Sequence, residues 1–216
     1  MKKILFLLLL CPVMSYAQSW QWGRQSITNP SPGLPQVNGD VIAHDMSGNI
    51  YISGIYSGRP AFGMDTMSYY DGSTSTGIYL VKYDSLGNLL WVRNSINGSG
   101  RVESIAVDSS GYIYITGYSN NPDLTFGTYT LSSTYPTFFI VKYSSTGEVL
   151  WLKHPLYSGI SYSESTSMAV NTSGDIYIAG FFHSSIIIFG NDTLRSGTNP
   201  SIDMFVAKYD TGGNAL

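Results

Sequence analysis

The sequence has 216 residues, a formal net charge of −3 and only 12% charged residues. A weakly charged, mildly acidic chain lacks the basic surface with which proteins bind nucleic acid or anionic lipid, so neither is expected as a partner. Its 17 tyrosines and 23 glycines favour pleated strands joined by tight turns.

The N-terminus predicts a signal peptide over residues 1–17. Two lysines precede a short apolar run, and a small-residue motif ends at Ala17, so we expect cleavage there and an exported protein. The run is too short to cross a bilayer, which needs about 20 residues. A lipoprotein modified at Cys11 is the alternative, although Leu10 stands where a small residue would be expected. Residues 18–216 contain no cysteine and would fold without disulfides.

Three blocks of sequence recur in the same order along the chain. The first block reads DMSGNIYISG, DSSGYIYITG and NTSGDIYIAG at 45–54, 108–117 and 171–180, with equivalent positions 63 residues apart. The second block has the pattern F-G-x-x-T-[LM] and occupies 62–67, 126–131 and 189–194. The third block contains VKY or AKY and occupies 79–91, 139–151 and 205–216. A fixed period above 50 residues indicates a repeat architecture.

Each unit predicts four principal strands and no helix. In the second unit, residues 104–108 lead through a turn into 112–117, a hairpin in which Gly111 supplies the positive φ of a tight turn. The F-G-x-x-T-[LM] segment follows as an extended piece. The run at 138–143 predicts a strand covered on both faces, and a turn then leads into the strand EVLWLK. The fold class is therefore all-β.

Four-stranded antiparallel units with two apolar faces are typical of β-propeller blades. Counted from each tryptophan, the three units of about 60–69 residues are 22–90, 91–150 and 151–216. The segment WGRQSI at 22–27 matches WVRNSI at 91–96, so the chain after the signal peptide opens with the strand that its last unit lacks. Propellers close with roughly four to eight blades. We therefore expect a piece of a larger propeller, truncated at the C-terminus; a ring closed by two chains is the alternative.

Taken together, these motifs resemble the bacterial β-propeller repeat called SBBP over essentially all of residues 18–216. The resemblance implies export from a Gram-negative bacterium, often as a module of a larger secreted or cell-surface protein. A sorting domain of the type IX secretion pathway would fit that family. The resemblance implies no catalytic residue, because the family is defined by its structural repeat.

Two sets of repeated polar residues have a structural and a chemical interpretation. Asp45, Asp108 and Asn171 open the repeated turn and predict Asx turns, in which the side chain binds backbone amides two residues on. A Ca²⁺ site, which needs six to eight oxygens, is the alternative.

Lys82, Lys142 and Lys208 each precede a tyrosine in the third block. We expect their stems to pack and their ammonium groups to face solvent. A perturbed nucleophile is the alternative, but a residue repeated in every unit serves to build the unit.

The chain shows no catalytic motif, and we expect no enzyme, no cofactor and no metal. Its three histidines, His44, His154 and His183, are scattered without metal-ligand spacing. The predicted function is that of an exported scaffold, or of a module that binds an extracellular glycan or protein. The alternative is a propeller enzyme, a polysaccharide lyase or hydrolase, with its site in the central channel.

Variable loops on a repeated frame are where binding residues concentrate. The tyrosines in such stretches are candidates for ligand contact, with the covering of blade edges as the alternative: Tyr69, Tyr70, Tyr157 and Tyr162. The tripeptides DTM, DSL and DTL resemble a bacterial O-glycosylation acceptor and mark three hydroxyls: Thr66, Ser85 and Thr193. Self-association that completes a propeller is a further expectation.

Overall fold

The computed structural model describes residues 22–28, 36–67, 76–120, 123–133, 135–158, 162–197 and 202–216. Within these ranges all regular structure is β, which confirms the predicted all-β fold class. None of these residues forms a helix long and apolar enough to cross a membrane. The predicted signal peptide lies outside them. The strands are β1 Ser26–Thr28, β2 Val37–His44, β3 Ile50–Tyr56, β4 Pro60–Phe62, β5 Asp65–Thr66, β6 Gly77–Tyr83, β7 Leu89–Ile96, β8 Gly100–Val107, β9 Ile113–Ser119, β10 Thr125–Phe126, β11 Tyr129–Thr130, β12 Thr137–Tyr143, β13 Val149–Lys153, β14 Leu156–Ser158, β15 Tyr162–Val170, β16 Ile176–His183, β17 Ile186–Phe189, β18 Asp192–Arg195 and β19 Asp203–Tyr209.

The main strands form three antiparallel sheets in which neighbours in sequence are neighbours in space. Blade 1 has the order β2-β3-β6-β7, blade 2 has β8-β9-β12-β13, and blade 3 has β15-β16-β19. In blade 3 a fourth strand only begins, as an isolated bridge between Tyr209 and Ala215. The repeated units of the sequence are therefore repeated sheets.

The thrice-repeated block forms the hairpin between the first two strands of each blade. The Asp108 carboxylate accepts hydrogen bonds from the amides of Ser110, at 2.9 Å, and Tyr112, at 3.0 Å. Gly111 closes the turn with a φ of 80°. Asp45 and Asn171 bind their own turns in the same way. The predicted Asx turns are confirmed.

The glycine that ends each repeated block has a different role, because its φ is not positive. A Cβ at Gly117 would collide with the carbonyl oxygen of Arg101 on the facing strand. The same holds at Gly54 and Gly180. The facing strand carries a β-bulge at this level, which forces the close approach. One extra residue is accommodated by each bulge: Asp40, Glu103 and Thr166.

The F-G-x-x-T-[LM] segment is a two-stranded hairpin, where the sequence predicted one extended piece. The glycine of the segment lies in the turn and has a φ of 58° in all three copies: Gly63, Gly127 and Gly190. Each hairpin pairs with an outer strand that precedes it in the chain: β4 with β1, β10 with β7, and β17 with β14. In blade 1, β7 pairs with β6 as far as Asn94 and with β10 from Ser95. β7 therefore pairs with a strand of blade 1 and with the hairpin that precedes the last two strands of blade 2.

The apolar core lies between the blades. Ile78 and Leu80 of blade 1 pack with Ile113 and Ile115 of blade 2. Residues of blade 2 pack in the same way against blade 3: Tyr114, Phe138 and Ile140 against Ile176 and Ile178. Every residue of β6 and of β12 is buried, as predicted for a strand covered on both faces. Face-to-face burial of apolar side chains, each worth roughly 1.5–3 kcal/mol, holds the sheets together.

The prediction that the repeated lysines extend into solvent is wrong for Lys82 and Lys142. They are 7% and 6% exposed, because the next blade covers the end of their strand. Lys82 Nζ donates to the carbonyl of Ser145 at 3.3 Å, and Lys142 Nζ donates to that of Thr211 at 2.9 Å. Lys208 instead forms an ion pair with Asp175 of its own blade, at 2.9 Å. The buried lysines are therefore links from one blade to the next.

The tryptophan repeated at the outer strand also links one blade to the next. Trp22, Trp91 and Trp151 each donate their Nε1 hydrogen, at 3.2 Å, to a turn carbonyl of the blade that follows in the chain. The accepting carbonyls are those of Ser85, Ser145 and Thr211. Trp91 and Lys82 thus share one acceptor, as do Trp151 and Lys142.

Candidate functional site

The first strands of the three blades form the edge on which the sheets converge. β8 lies against β2 on one side and against β15 on the other. Each of the three carries its bulge at the same level, and a bulge redirects a side chain out of the regular alternation. The repeated frame therefore presents polar side chains along one inner edge.

Blades 2 and 3 place five polar or aromatic side chains together at this edge. We call them the inner-edge cluster: Arg101, Glu103, Tyr118, Tyr162 and Glu164. The Arg101 guanidinium forms an ion pair with Glu103 and lies 5.7 Å from the centroid of the Tyr118 ring. The Tyr118 and Tyr162 rings meet edge to face at 5.9 Å, and the Tyr162 hydroxyl donates to Glu164. Two strands of blade 2 and one of blade 3 supply the cluster.

The charges of the inner-edge cluster do not cancel. Burial raises the pKa of Glu164, and the nearby Glu103 carboxylate adds to the rise, while Arg101 opposes it. The Arg101 side chain is 54% exposed and that of Glu103 is 24% exposed. The arrangement offers aromatic surface, a cation and two carboxylates, which are groups that contact apolar faces and hydroxyls of a ligand.

The residues of the inner-edge cluster are not repeated from blade to blade. The position of Arg101 is occupied by Asn38 in blade 1 and by Glu164 in blade 3. The position of Tyr118 is occupied by Ile55 and by Phe181. A shared frame thus carries a local set of residues that building the frame does not require.

Of the four tyrosines predicted for ligand contact, Tyr162 lies in the inner-edge cluster. Tyr157 is partly buried against the core between blades 2 and 3, and its hydroxyl contacts Thr137 and Ser163. Burial raises the pKa of Tyr157 to about 12. Tyr157 therefore packs between blades 2 and 3 and is not a member of the cluster. Tyr69 and Tyr70 lie outside the described residues.

The three predicted O-glycosylation hydroxyls are exposed and lie away from the inner-edge cluster. Thr66 and Thr193 are on the outer strands of equivalent hairpins, β5 and β18. Ser85 lies in the turn after β6, where its carbonyl accepts the Trp22 indole. Their modification stays a prediction.

Among the described residues, no group of three or more His, Cys, Asp and Glu side chains is placed to hold a metal ion. His44 and His183 are exposed. His154 is partly buried with Nδ1 2.9 Å from the carbonyl of Pro155.

Sequence reasoning missed Arg101, Glu103, Tyr118 and Glu164. When the three repeats are aligned at the 63-residue period, these residues stand at positions that vary between the copies. Residues around the invariant glycine agree between copies, whereas the position of Arg101 changes from amide to cation to carboxylate and that of Tyr118 is aliphatic in blade 1. The aligned repeats do not show that β15 of blade 3 packs against β8 and β9 of blade 2, and this packing brings the side chains together.

Comparison with known proteins agrees with this architecture. Residues 96–124 match the family model described as SBBP, a beta-propeller repeat. An uncharacterized WD repeat-containing protein of Acanthamoeba polyphaga mimivirus is 29% identical over 157 residues, which cover 64% of this chain and 11% of that protein. The regulatory protein FlaEY of Caulobacter vibrioides is 26% identical over 218 residues, covering 87% of this chain and 21% of that protein.

The chain therefore spans only 11% and 21% of the length of these two relatives. The matched repeat, the WD-repeat relative and the three meandering sheets support the same conclusion. The chain is a β-propeller repeat protein.

Proposed function

We propose that this chain is an exported, non-enzymatic propeller module that binds an extracellular glycan at the inner-edge cluster. The observation that carries the proposal is the placement of Tyr118 and Tyr162 beside Arg101 and two carboxylates, at positions that differ between repeats. Binding residues on repeat scaffolds are those that the scaffold itself does not need.

The chemistry of the cluster suits a carbohydrate. A tyrosine ring offers an apolar face to the C–H groups of a sugar, and its hydroxyl bonds to sugar hydroxyls. Tyr162 is held in place by Tyr118 on one side and by Phe181, at 6.0 Å, on the other. Preorganised rings lose little entropy on binding. The ion pair of Arg101 and Glu103 supplies donors and acceptors at the same edge.

The test is a glycan array followed by titration calorimetry with the glycan that binds best. We expect Tyr118→Ala to weaken binding at least about tenfold, because it removes one ring and the contact with the second. Tyr129→Ala is the matched control, because Tyr129 is a 39% exposed tyrosine on β11, outside the cluster. Equal losses in the two variants, or binding of a protein ligand alone, would contradict a glycan site here.

A hydrolase is the second candidate function, and the raised pKa of Glu164 beside Glu103 favours it. Glycosidases pair a carboxyl group that keeps its proton with one that is ionised. Release of reducing ends from a bound polysaccharide, abolished by Glu164→Gln, would establish an enzyme. Binding without any product supports the module proposed above.

Export is part of the proposal and has its own test. The protein recovered outside the cytoplasm of a Gram-negative host should begin at Gln18 when its N-terminus is sequenced. Material that stays in the cytoplasm and begins at Met1 would overturn this part.

A further inference from the structure

The inner-edge cluster has one carboxylate more than it has cations. The first strands of the three blades, β2, β8 and β15, together carry three carboxylates and one arginine: Asp40, Glu103, Glu164 and Arg101. Arg101 is engaged in the ion pair with Glu103. Glu164 forms no ion pair with any of the described residues. An edge with this surplus of negative charge attracts cations and repels anions.

The Glu164 carboxylate has few partners of its own. Within the described ranges, the one hydrogen bond that it accepts comes from the Tyr162 hydroxyl. An ionised carboxylate has about four acceptor sites on its two oxygens. Burial raises the pKa of Glu164, and Glu103 adds to the rise against the opposing effect of Arg101. The group is therefore partly desolvated, and a cation beside it would compensate for that loss.

Aromatic rings lie next to this carboxylate. Phe181 is the partner of Glu164 across the ladder of β15 and β16. Tyr162 stands two residues before Glu164, on the same face of the strand. The centroids of the Tyr162 and Phe181 rings are 6.0 Å apart. The ring of Tyr118 already has the Arg101 guanidinium beside it, whereas the described residues place no cation over Tyr162 or Phe181.

A carboxylate flanked by aromatic rings recognises a positively charged amine. The carboxylate supplies the opposite charge and accepts hydrogen bonds from an ammonium group. A ring within about 6 Å of the ammonium adds the attraction of its negative face. A sulfated or carboxylated sugar would find the arginine of the cluster already paired and would meet the surplus carboxylate. Among sugars, the class that fits is therefore one with a free amino group.

We propose that the glycan bound at the inner-edge cluster contains a free amino sugar, whose ammonium group lies between Glu164 and the ring of Tyr162. This inference rests on the glycan-binding function proposed above and names the sugar class of that same site. The ammonium donates to the Glu164 carboxylate, and the C–H face of the sugar contacts the tyrosine ring. The ion pair of Arg101 and Glu103 stays closed.

The test compares two oligosaccharides that differ only at the amino group. Oligomers of glucosamine and of N-acetylglucosamine, of equal length and linkage, share the sugar ring, but acetylation removes the positive charge. Titration calorimetry in a mildly acidic buffer, in which the amine carries its proton, measures both affinities. We expect the wild type to bind the glucosamine oligomer at least about tenfold more tightly.

A variant locates this preference at Glu164. Glu164→Gln keeps the size of the side chain and removes its charge, so the ratio of the two affinities should fall toward one. Glu148→Gln is the matched control, because Glu148 is an exposed carboxylate in the turn before β13, outside the cluster. It changes the net charge by the same amount and should keep the wild-type ratio. Circular dichroism spectra check that both variants fold.

The outcomes separate this inference from the function on which it rests. Equal or tighter binding of the N-acetylated oligomer by the wild type overturns the amino-sugar assignment and leaves glycan binding standing. Tightest binding of a sulfated or carboxylated glycan does the same. Equal losses of the ratio in Glu164→Gln and Glu148→Gln would attribute the preference to overall charge and overturn the assigned position.

Two further outcomes would overturn the proposed function as well. If no glycan of the array binds, both the glycan site and its amino-sugar class are wrong. If a lysine oligomer binds and no sugar does, the ammonium site belongs to a protein ligand, and the glycan proposal fails together with this inference.

Discussion

Lys142 was expected to extend its ammonium group into solvent, and its environment in the structure is different. Its ammonium group is covered by blade 3 and lies 4.2 Å from the centroid of the Tyr112 ring. Burial lowers the pKa of Lys142, and the carboxylates of Asp108 and Asp210 oppose the shift. The hydrogen bond to the Thr211 carbonyl compensates for part of the lost hydration. The residue is therefore a desolvated link between two blades.

Lys142→Met keeps most of the stem and removes the charged donor. We expect the free energy of unfolding to fall by about 1–3 kcal/mol, because a buried hydrogen bond to a charged group is lost. Lys153→Met on β13 is the control, for which we expect a change within about 0.5 kcal/mol. Urea unfolding followed by tryptophan fluorescence measures both. Equal midpoints for Lys142→Met and the wild type would show that the link contributes nothing.

Residue-level features were predictable from sequence only where their cause is local. The Asx turn at Asp108 and the positive φ of Gly111 follow from four consecutive residues. The need for Gly117 was not predictable, because it arises from a bulge on the facing strand. The burial of Lys142 depends on a blade whose turn lies more than 60 residues further along.

At the scale of elements, the outer strand β7 changes its pairing partner within its own length. Its ladder with β6 ends at Tyr79 and Asn94, and its ladder with β10 starts at Ser95. The Ile78 amide, just beyond the end of the first ladder, donates to the Ser95 hydroxyl at 2.9 Å. Ser95 is fully buried. A side chain thus replaces the backbone acceptor where the strand passes from one sheet to the next.

Ser95→Ala should leave the buried Ile78 amide without an acceptor. We expect the free energy of unfolding to fall by about 1–3 kcal/mol, the cost of an unsatisfied buried donor. Ser110→Ala, at an exposed turn position, is the control and should change it by less than about 0.5 kcal/mol. Chemical unfolding of the two variants decides the matter, and equal effects would contradict the assigned role of Ser95.

The hairpin at 126–131 shows why element boundaries were only partly predictable. Its pattern predicted one extended piece, whereas the structure has two short strands joined by a turn at Gly127. Its pairing partner, Ser95 opposite Phe126, lies on β7, the outer strand of the preceding blade. No local pattern specifies such a partner, so a short hairpin and a single extended segment could not be told apart.

At the scale of the whole molecule, tyrosine hydroxyls are buried in every blade. Burial raises the pKa of these residues above the ordinary value of 10.0: Tyr51, Tyr79, Tyr114, Tyr143 and Tyr209. Tyr157 is raised to about 12. The fold therefore holds the neutral phenol, while the unfolded chain ionises near 10.

This contribution to stability is complete below the unfolded pKa and is lost as pH rises through 10 toward the folded values. We expect the urea midpoint to be lower at about pH 11 than at about pH 9, together with a delayed rise in tyrosinate absorbance. The absorbance should then appear with unfolding. If all tyrosines ionise near pH 10 while the circular dichroism spectrum stays unchanged, the tyrosine hydroxyls are accessible to solvent in the folded protein. That outcome would contradict the prediction.

The number of units could be predicted from the repeated blocks, and their strands and apolar faces from the apolar runs and turn residues within each block. The inner-edge cluster could not, because Arg101 and Tyr162 come from different blades. Their approach depends on how one sheet packs on the next, and that packing is set by side chains such as Phe138 and Ile178, far from the cluster in sequence.

An outer strand such as β7 pairs with its own blade and with the hairpin of the next blade. This arrangement has a consequence for how the gene of a propeller can grow by duplication. Every junction between blades uses the same tryptophan, the same turn and the same hairpin. A duplication of 63 residues therefore adds one whole blade wherever in the unit it starts, because both new junctions repeat ones that already exist. Duplication or deletion within the gene can therefore change the number of blades one at a time, without requiring a new kind of contact between blades.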